Sequence, residues 1–382
     1  MKKICLFLMV LTGCIAFAGG PALQKRLQMP EKIYAVPGIE CNIYFENIFL
    51  TLNHANFAFE VKCKKGRCDE KRWRFTPKES EAGTYDLKLN VYDDNGLVAT
   101  ASSKLVVTPA DAGKGKKISL LMIGSSLLHV KHALPTHLYN LFQKPGNPAL
   151  KMIGENGPGW PDKIQNIRHE GYGGWSFAFF TSPGRKNPKS NYSFDRDNPF
   201  WNFKTKSLDF PAYFKKNSEG KTPDFILIAL GGNDVFACTD STLDAKLEQV
   251  RKKALVLISA IRKAAPQATI GMLLPESCSH SQDAFGKNYG CLQIRWQFKK
   301  NYFKYRSMME DLVRRSGDPK LFTIPCYPAL DTVNNVYKLQ EFANDRNRTP
   351  VMRESNGLHP ENSGYHQLAD SCYAWMKDQL NR

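Results

Sequence analysis

Hydrophobic positions follow one spacing in the first third of the chain and another in the remainder. Between Lys32 and Pro109 strand-forming residues fall in short runs, Ile43–Phe45, Phe57–Val61, Arg72–Phe75, Tyr85–Val91 and Lys104–Val107, separated by turn residues that include Asp94, Asn95 and Gly96. Leu87, Leu89 and Val91 alternate with Lys88 and Asn90, the period of two that buries one face of a strand. Helical periodicity is missing there, so residues 30–109 are expected to form a small all-β domain. Past the small, polar joint of residues 108–116, continuous apolar runs take over at Ile118–Ile123, Phe225–Leu230, Ala268–Leu274 and Leu321–Pro325. Such runs belong to strands covered on both faces of a parallel sheet. Between them, Leu243–Ala265 places Leu247, Val250, Ala254, Leu257 and Ile261 at helical spacing, and Gln293–Arg315 reads likewise. The alternation predicts a doubly wound α/β domain over residues 117–382, with functional groups beyond the C-terminal ends of its strands.

A chain of 382 residues, 42% hydrophobic and 23% charged, has enough apolar material for two cores and is neither disordered nor membrane-filling. Glu81 to Tyr85, ahead of the alternating Leu87–Val91 segment, resembles the tyrosine corner of immunoglobulin-like sandwiches, which implies a phenol bonded back to the backbone. That domain offers no catalytic constellation and is expected to be a packing or spacer module, with carbohydrate binding as the alternative.

Lys2 and Lys3 precede an apolar run, Ile4 to Ala18, that ends in small residues before Gly19, the pattern of a secretory signal over residues 1–18. The run is too short to span a bilayer, which takes about 20 residues. Leu11-Thr12-Gly13-Cys14 also fits a bacterial lipobox in which Cys14 would be acylated, so the one membrane attachment foreseen is an N-terminal lipid anchor. Either way the protein is expected to be exported: periplasmic, extracellular or lipid-anchored at the cell surface. Of ten cysteines, eight remain after cleavage, a number that suits an oxidising compartment. Cys63 with Cys68, and Cys278 with Cys291, are expected to close small loops. Zinc is not expected, because no second Cys/His pair follows at finger spacing. Lys plus Arg is 53 against 36 Asp plus Glu, a net charge of +17 that raises the question of an anionic partner. The basic residues sit in short groups such as Lys114, Lys116 and Lys117, or Arg251, Lys252 and Lys253. Without a long basic arm or a nucleic-acid module, they predict a solvated basic surface and no nucleic-acid partner.

Four segments fall at strand ends: Ile123-Gly124-Ser125-Ser126, the glycine-rich loop His169 to Trp175, Ala229 to Asp234, and Asn356 to Pro360. Together, and above all through Gly232-Asn233-Asp234 and Leu358-His359-Pro360, they resemble the SGNH or GDSL hydrolases over most of residues 117–382. The resemblance extends to secreted bacterial members with an N-terminal β domain. It implies a flavodoxin-like three-layer α/β/α fold with a parallel sheet, preceded by an immunoglobulin-like sandwich, and a serine esterase activity that needs no cofactor or metal. Acyl transfer needs a nucleophile, a base and donors facing the carbonyl oxygen. Ser126 stands at the family's serine and is expected to be the nucleophile, with Ser125 as its rival. The backbone N–H groups of Ser126 and Gly174, and the side-chain amide of Asn233, are expected to form the oxyanion hole, with Gly173 the alternative glycine. His359 is expected to be the base; His129, His132 and His137 form a cluster without a carboxylate nearby in sequence and are not expected to bind metal.

Two positions depart from the family. Ser125 replaces an Asp expected to brace the turn, and Asn356 stands where an Asp orients the histidine. In a serine-protease triad an Asp-to-Asn change costs on the order of 10⁴ in rate. Asn356 is nonetheless expected to assist His359 through its side-chain oxygen, with Glu354 a further orienter. Trp160, Trp175, Phe177 and Trp201 near the glycine loop, together with export and a basic surface, suit an acetylated polysaccharide as the ester substrate. Lipase or thioesterase chemistry and a catalytically silent glycan-binding protein are the alternatives. An α/β-hydrolase is disfavoured because Leu128 stands where its second glycine belongs.

Overall fold

The computed structural model describes residues 20–159, 166–184, 195–276 and 279–382. The expected secretory signal over residues 1–18, Cys14, Trp160 and Cys278 lie outside the described residues.

Seven strands build the first domain: β1 (Lys32–Ala35), β2 (Cys41–Tyr44), β3 (Ala58–Cys63), β4 (Arg67–Cys68), β5 (Arg72–Phe75), β6 (Gly83–Asp93) and β7 (Gly96–Val107). One sheet has the order β1-β7-β6-β3 and the other β2-β5-β4. Ile43 and Trp73 from the second sheet share a core with Leu87, Leu89, Val91 and Leu105 from the first. The tyrosine corner is present, since the Tyr85 hydroxyl donates to the Glu81 carbonyl at 2.9 Å. Asp94 and Asn95 make the tight β6–β7 turn, ahead of Gly96 at φ +119°. Phe45, expected in a strand, instead opens a helical turn, Phe45–Ile48.

The proposed Cys63–Cys68 loop closure is not present. Residues 64–66 carry the chain from one sheet to the other, so Cys63 lies on β3 and Cys68 on β4, whose partners are β6 and β5. Both thiols are free, as are Cys41, Cys238, Cys291, Cys326 and Cys372.

The second domain contains β8 (Lys117–Gly124), β9 (Ala149–Ile153), β10 (Glu170–Gly171), a small hairpin of β11 (Trp201–Asn202) and β12 (Ser207–Leu208), then β13 (Phe225–Ala229), β14 (Thr269–Leu274), β15 (Leu321–Pro325) and a second hairpin of β16 (Lys338–Phe342) and β17 (Pro350–Glu354). Its main sheet runs β10-β8-β13-β14-β15, all parallel, with β9 paired to the first half of β8. Neighbouring residues of β8 point to opposite layers. Leu120 and Met122 meet the helices Ala133–Phe142 and Asn362–Leu380, whereas Leu121 and Ile123 join the core containing Leu243–Ala264 and Arg295–Ser316. This is the three-layer α/β/α arrangement, and each apolar run of the sequence is buried on both faces as such a sheet requires. Leu247, Val250, Ala254, Leu257 and Ile261 are all buried on one face of the helix Leu243–Ala264. No helix among the described residues is long and apolar enough to cross a membrane.

The two domains share one apolar core and a buried polar seam. Arg306 pairs with Glu276 at 2.6 Å, each side chain at most 2% exposed. Arg306 also donates to Gln28 at 2.8 Å and to the Asn47 carbonyl at 3.3 Å, and lies over the Tyr327 ring. Removing one partner of such a pair strands a buried charge. Arg306→Ala is therefore expected to destabilise the protein by about 3–5 kcal/mol. Urea unfolding followed by intrinsic fluorescence is expected to show one transition for both domains, shifted to lower denaturant. A variant that loses less than about 1 kcal/mol would show the pair to be well solvated or readily replaced.

Candidate active site

Three strands end side by side. Gly171 of β10 lies opposite Gly124 of β8, and Gly124 opposite Ala229 of β13. The ladder continues one step further, because Tyr172 donates its N–H to the Gly124 carbonyl at 3.1 Å and Ser125 donates to the Ala229 carbonyl at 3.2 Å. Parallel sheets gather functional groups beyond such ends.

Ser126 opens the short helix Ser126–His129, and the Ser125 carbonyl accepts from the N–H groups of Leu128 and His129. Ser125 is buried, while Ser126 is half-buried and reaches solvent. Of the two hydroxyls, Ser126 has the access a nucleophile needs. Leu128 folds back over the strand end. A Cβ on Gly124 would lie 2.7 Å from its Cδ1, and one on Gly171 would lie 2.4 Å from its Cβ. Only glycine lets these backbones approach so closely.

Tyr172 to Trp175 form a turn closed by Trp175 N–H to the Tyr172 carbonyl at 3.1 Å, with Gly174 at φ +73° and exposed, and Gly173 half-buried. Trp175 and Phe177 are fully buried, packing as core and not as a substrate platform. Asn233 donates its side-chain N–H to the Trp175 carbonyl at 2.8 Å and retains a second N–H. Gly231 and Gly232, just before it, press against Tyr305 and Tyr302, where a Cβ would come within 2.1 and 2.2 Å. Asp234 accepts from Phe177 N–H at 3.2 Å, and burial raises its carboxyl to about 6. Ser126, Gly174 and Asn233 thus lie on three adjoining strand ends.

His359 is half-buried on the loop after β17. Asn356 Oδ1 accepts from Leu358 N–H at 3.1 Å and His359 N–H at 2.9 Å. Both lone pairs of that oxygen are used by backbone, so the Asn356 carbonyl builds the turn beneath the histidine. The imidazole has no hydrogen-bond or charged partner among the described residues, and burial alone lowers His359 to about 4. Glu354 does not orient it. That buried carboxylate takes the Ser279 hydroxyl and pairs with His280 Nδ1 at 2.7 Å. This partnership raises the His280 pKa. Pro360 bridges to Val336, Ser355 N–H bonds the Tyr337 carbonyl, and Lys131 lies 5.1 Å over the Tyr337 ring. The segment following Ser126 and the loop carrying His359 therefore meet at Tyr337.

The histidine cluster divides. His137 pairs with Asp370 at 3.1 Å and stacks on His366, whereas His132 joins His169 beside the glycine loop. No group of three or more His, Cys, Asp or Glu among the described residues could hold a metal ion. Sequence reasoning gave no role to Asn156, whose Nδ2 donates to the Gly171 carbonyl, or to Glu170, whose carboxyl is raised to about 7 by burial and takes the Tyr172 and Tyr213 hydroxyls. His169 and Glu170 do open the glycine-rich phrase, the one signal that marked them.

No curated protein matches the chain. Among solved structures, the chain is similar to a family 3 carbohydrate esterase of Clostridium thermocellum, with 18% identity, 69% of this chain and 98% of that one covered, and a TM-score of 0.40. A carbohydrate acetylesterase family member from Sinorhizobium meliloti shows 13% identity over 69% of this chain and 100% of that one, with a TM-score of 0.41. A carbohydrate esterase family 3 protein from Talaromyces cellulolyticus shows 13% identity over 69% and 98%, with a TM-score of 0.38. The model of the GDSL-like lipase/acylhydrolase family matches residues 121–372, from within β8 into the last helix and more than half of the chain, so the protein belongs to that family of ester hydrolases.

Proposed function

We propose that the protein is an exported serine esterase that removes O-acetyl groups from carbohydrate, with Ser126 as nucleophile and His359 as general base. Ser126 N–H, Gly174 N–H and the Asn233 amide serve as oxyanion donors. The observation that carries this assignment is the lateral register of Gly171, Gly124 and Ala229, from which the three donors extend. In acylation the Ser126 oxygen attacks the ester carbonyl while His359 takes its proton; the alcohol then leaves with that proton. Water attacks the acyl-enzyme, gives a proton to His359, and the proton returns to Ser126 as acetate departs. Between these steps the carbonyl oxygen carries negative charge and the three N–H groups meet it.

Burial keeps His359 uncharged and ready to accept a proton at neutral pH, but it also makes the imidazole a weak base. With Asn356 Oδ1 committed to backbone, no carboxylate steadies the imidazolium. The substrate assignment rests on the open position of Gly174 and on the β11–β12 hairpin. That hairpin is anchored by Phe200 against Phe180 and presents Trp201 half-buried and Phe203 55% exposed. Aromatic faces of this kind stack on sugars, and a site at the surface admits a polymer whose reacting group is small.

Ser126→Ala is expected to reduce p-nitrophenyl acetate hydrolysis to the buffer rate; equal rates for the two proteins would remove the assignment. Asn233→Ala is expected to lower kcat by roughly 10²–10³-fold. Acetate release from acetylated xylan is expected to exceed cleavage of a long-chain p-nitrophenyl ester, and the reverse order would favour a lipase. The acid limb of kcat/KM reports the free-enzyme base and is expected near 4, since His359 stays neutral as pH falls until about that value. Asn356→Asp places a negative charge beside the ring, favours the imidazolium and is expected to move that limb upward by about one unit. An unmoved limb would show that His359 is not the titrating base.

A further inference from the structure

The helix carrying Ser126 does not run on into the next one. Lys131 and His132 interrupt it at φ +50° and +49°, two successive side-chain-bearing residues in the left-handed region, before the helix Ala133–Phe142 begins. Glycine or asparagine is the usual occupant of such a corner. A histidine there calls for a side chain with a task of its own.

His132 Nδ1 lies 2.9 Å from Nε2 of His169, which is fully buried. The direction of this bond follows from the next one. Gly171 N–H, which can only donate, points at His169 Nδ1 at 3.0 Å. His169 Nδ1 is therefore the acceptor, its ring proton sits on Nε2, and that proton is given to His132 Nδ1. Burial, first among several causes, holds His169 well below its ordinary pKa, and burial with neighbouring His129 lowers His132 to about 4, so the uncharged rings this bond requires are present at neutral pH. The same Gly171 peptide is gripped on its other side, where its carbonyl accepts from Asn156 Nδ2, an amide that also lies 3.2 Å from His129 Nδ1. Asn156 and His169 are joined by a pair of backbone hydrogen bonds at 3.1 and 3.0 Å. Gly171 directly precedes the Tyr172–Trp175 turn that carries Gly174, and its backbone rests against Leu128, two residues beyond Ser126.

We propose that His132 and His169 are positioning residues of the ester-hydrolysing site: a hydrogen-bonded imidazole pair that ties the corner after Ser126 to the peptide of Gly171 and so fixes the Gly174 donor relative to the nucleophile. The proposal rests on the assignment of Ser126 and Gly174 given above. Neither histidine touches the substrate. Displacing a donor by about 1 Å is enough to slow chemistry by up to roughly 10²-fold while leaving substrate binding almost unchanged.

Three replacements at one position separate the hydrogen bond from the backbone. Asparagine tolerates the left-handed region and sets its Oδ1 where the imidazole has Nδ1, so His132→Asn keeps both features. His132→Gly relieves the backbone and removes the acceptor; His132→Ala removes the acceptor and keeps the strain. With p-nitrophenyl acetate and the full chain, His132→Asn is expected to retain kcat within about threefold, and His132→Gly and His132→Ala to lose at least about tenfold, all with KM within about threefold of wild type. Wild-type kcat in His132→Gly, or a loss in His132→Asn as large as in His132→Gly, overturns the proposal. A second readout does not depend on esterase activity. Imidazole ¹⁵N NMR is expected to show His169 as the Nε2–H tautomer in wild type and in His132→Asn, with its Nε2–H signal shifted in His132→Gly; an Nδ1–H or charged His169 overturns the clamp. Wild-type protein that cleaves no ester overturns the assignment of Ser126, and the NMR measurement still decides whether the imidazole pair exists.

Discussion

The site depends on how closely three parallel strand ends and one helix pack, and the absence of side chains at Gly124 and Gly171 sets that closeness. Leu128, fully buried, is the wedge that both glycines accommodate. Any larger residue at either position would push the Ser126 helix away from the sheet or from the glycine turn, and a core at crystal-like density has no slack to absorb the shift. Gly231 and Gly232 do the same for Asn233 against Tyr305 and Tyr302. Much of the glycine content that reads in sequence as catalytic grammar is thus a packing requirement at the candidate site. Gly174 differs, being exposed with a left-handed backbone that a turn demands.

Around this frame the protein has removed charge. Burial lowers His359 and His132 to about 4, holds His169 well below its ordinary value, and raises Glu170 to about 7 and Asp234 to about 6. Glu354, the last residue of β17 before the His359 loop, is committed to His280 and Ser279. An oxyanion developing at the proposed nucleophile would be met by fixed N–H dipoles that need no reorganisation. Burial without a charged partner leaves an imidazolium at His359 unsupported, which makes position 356 the place where this chain departs from the family's usual electrostatic balance.

The sheet and its long helices were legible because continuous apolar runs and a helical period each have one economical burial, and the tyrosine corner was legible because its short motif has one geometry. Of the four segments, Ile123–Ser126 and Ala229–Asp234 could be found because they end apolar runs, while His169–Trp175 and Asn356–Pro360 were marked by their glycines and by Leu358-His359-Pro360. What was not legible depended on tertiary choices. Cys63 and Cys68 look like a hairpin pair until the chain crosses between sheets at residues 64–66. Trp175 and Phe177 look like a platform, but Tyr172 and Phe180 close over Trp175. Asn356 was expected to face the imidazole, yet two backbone N–H groups lie closer along the chain, and local competition of this kind is the habit of short amide side chains. Asn156 carried no pattern, and His169 was marked only as the first residue of the glycine-rich phrase, since their shared partner is the single Gly171 peptide made near by the fold.

The polar contacts of the first domain end on the segment that leads to the His359 loop. Asn47 donates to the carbonyls of Tyr327 and Leu330 at 2.8 and 2.7 Å, and the Tyr44 hydroxyl donates to Asp331 at 3.0 Å. Asp331 in turn accepts from the N–H groups of Val333 and Asn334 at 3.0 and 2.9 Å. Immediately after Asn334, the Asn335 carbonyl accepts Glu361 N–H at 3.0 Å and Val336 bridges to Pro360. A β domain attached by a flexible linker could not transmit position along such a chain; one whose Asn47 carbonyl accepts from the buried Arg306, and whose core is continuous with that of the second domain, can. If His359 is the base proposed above, its backbone is braced on either side, by the Asn356 side chain and by the segment that the first domain holds, in place of an orienting carboxylate.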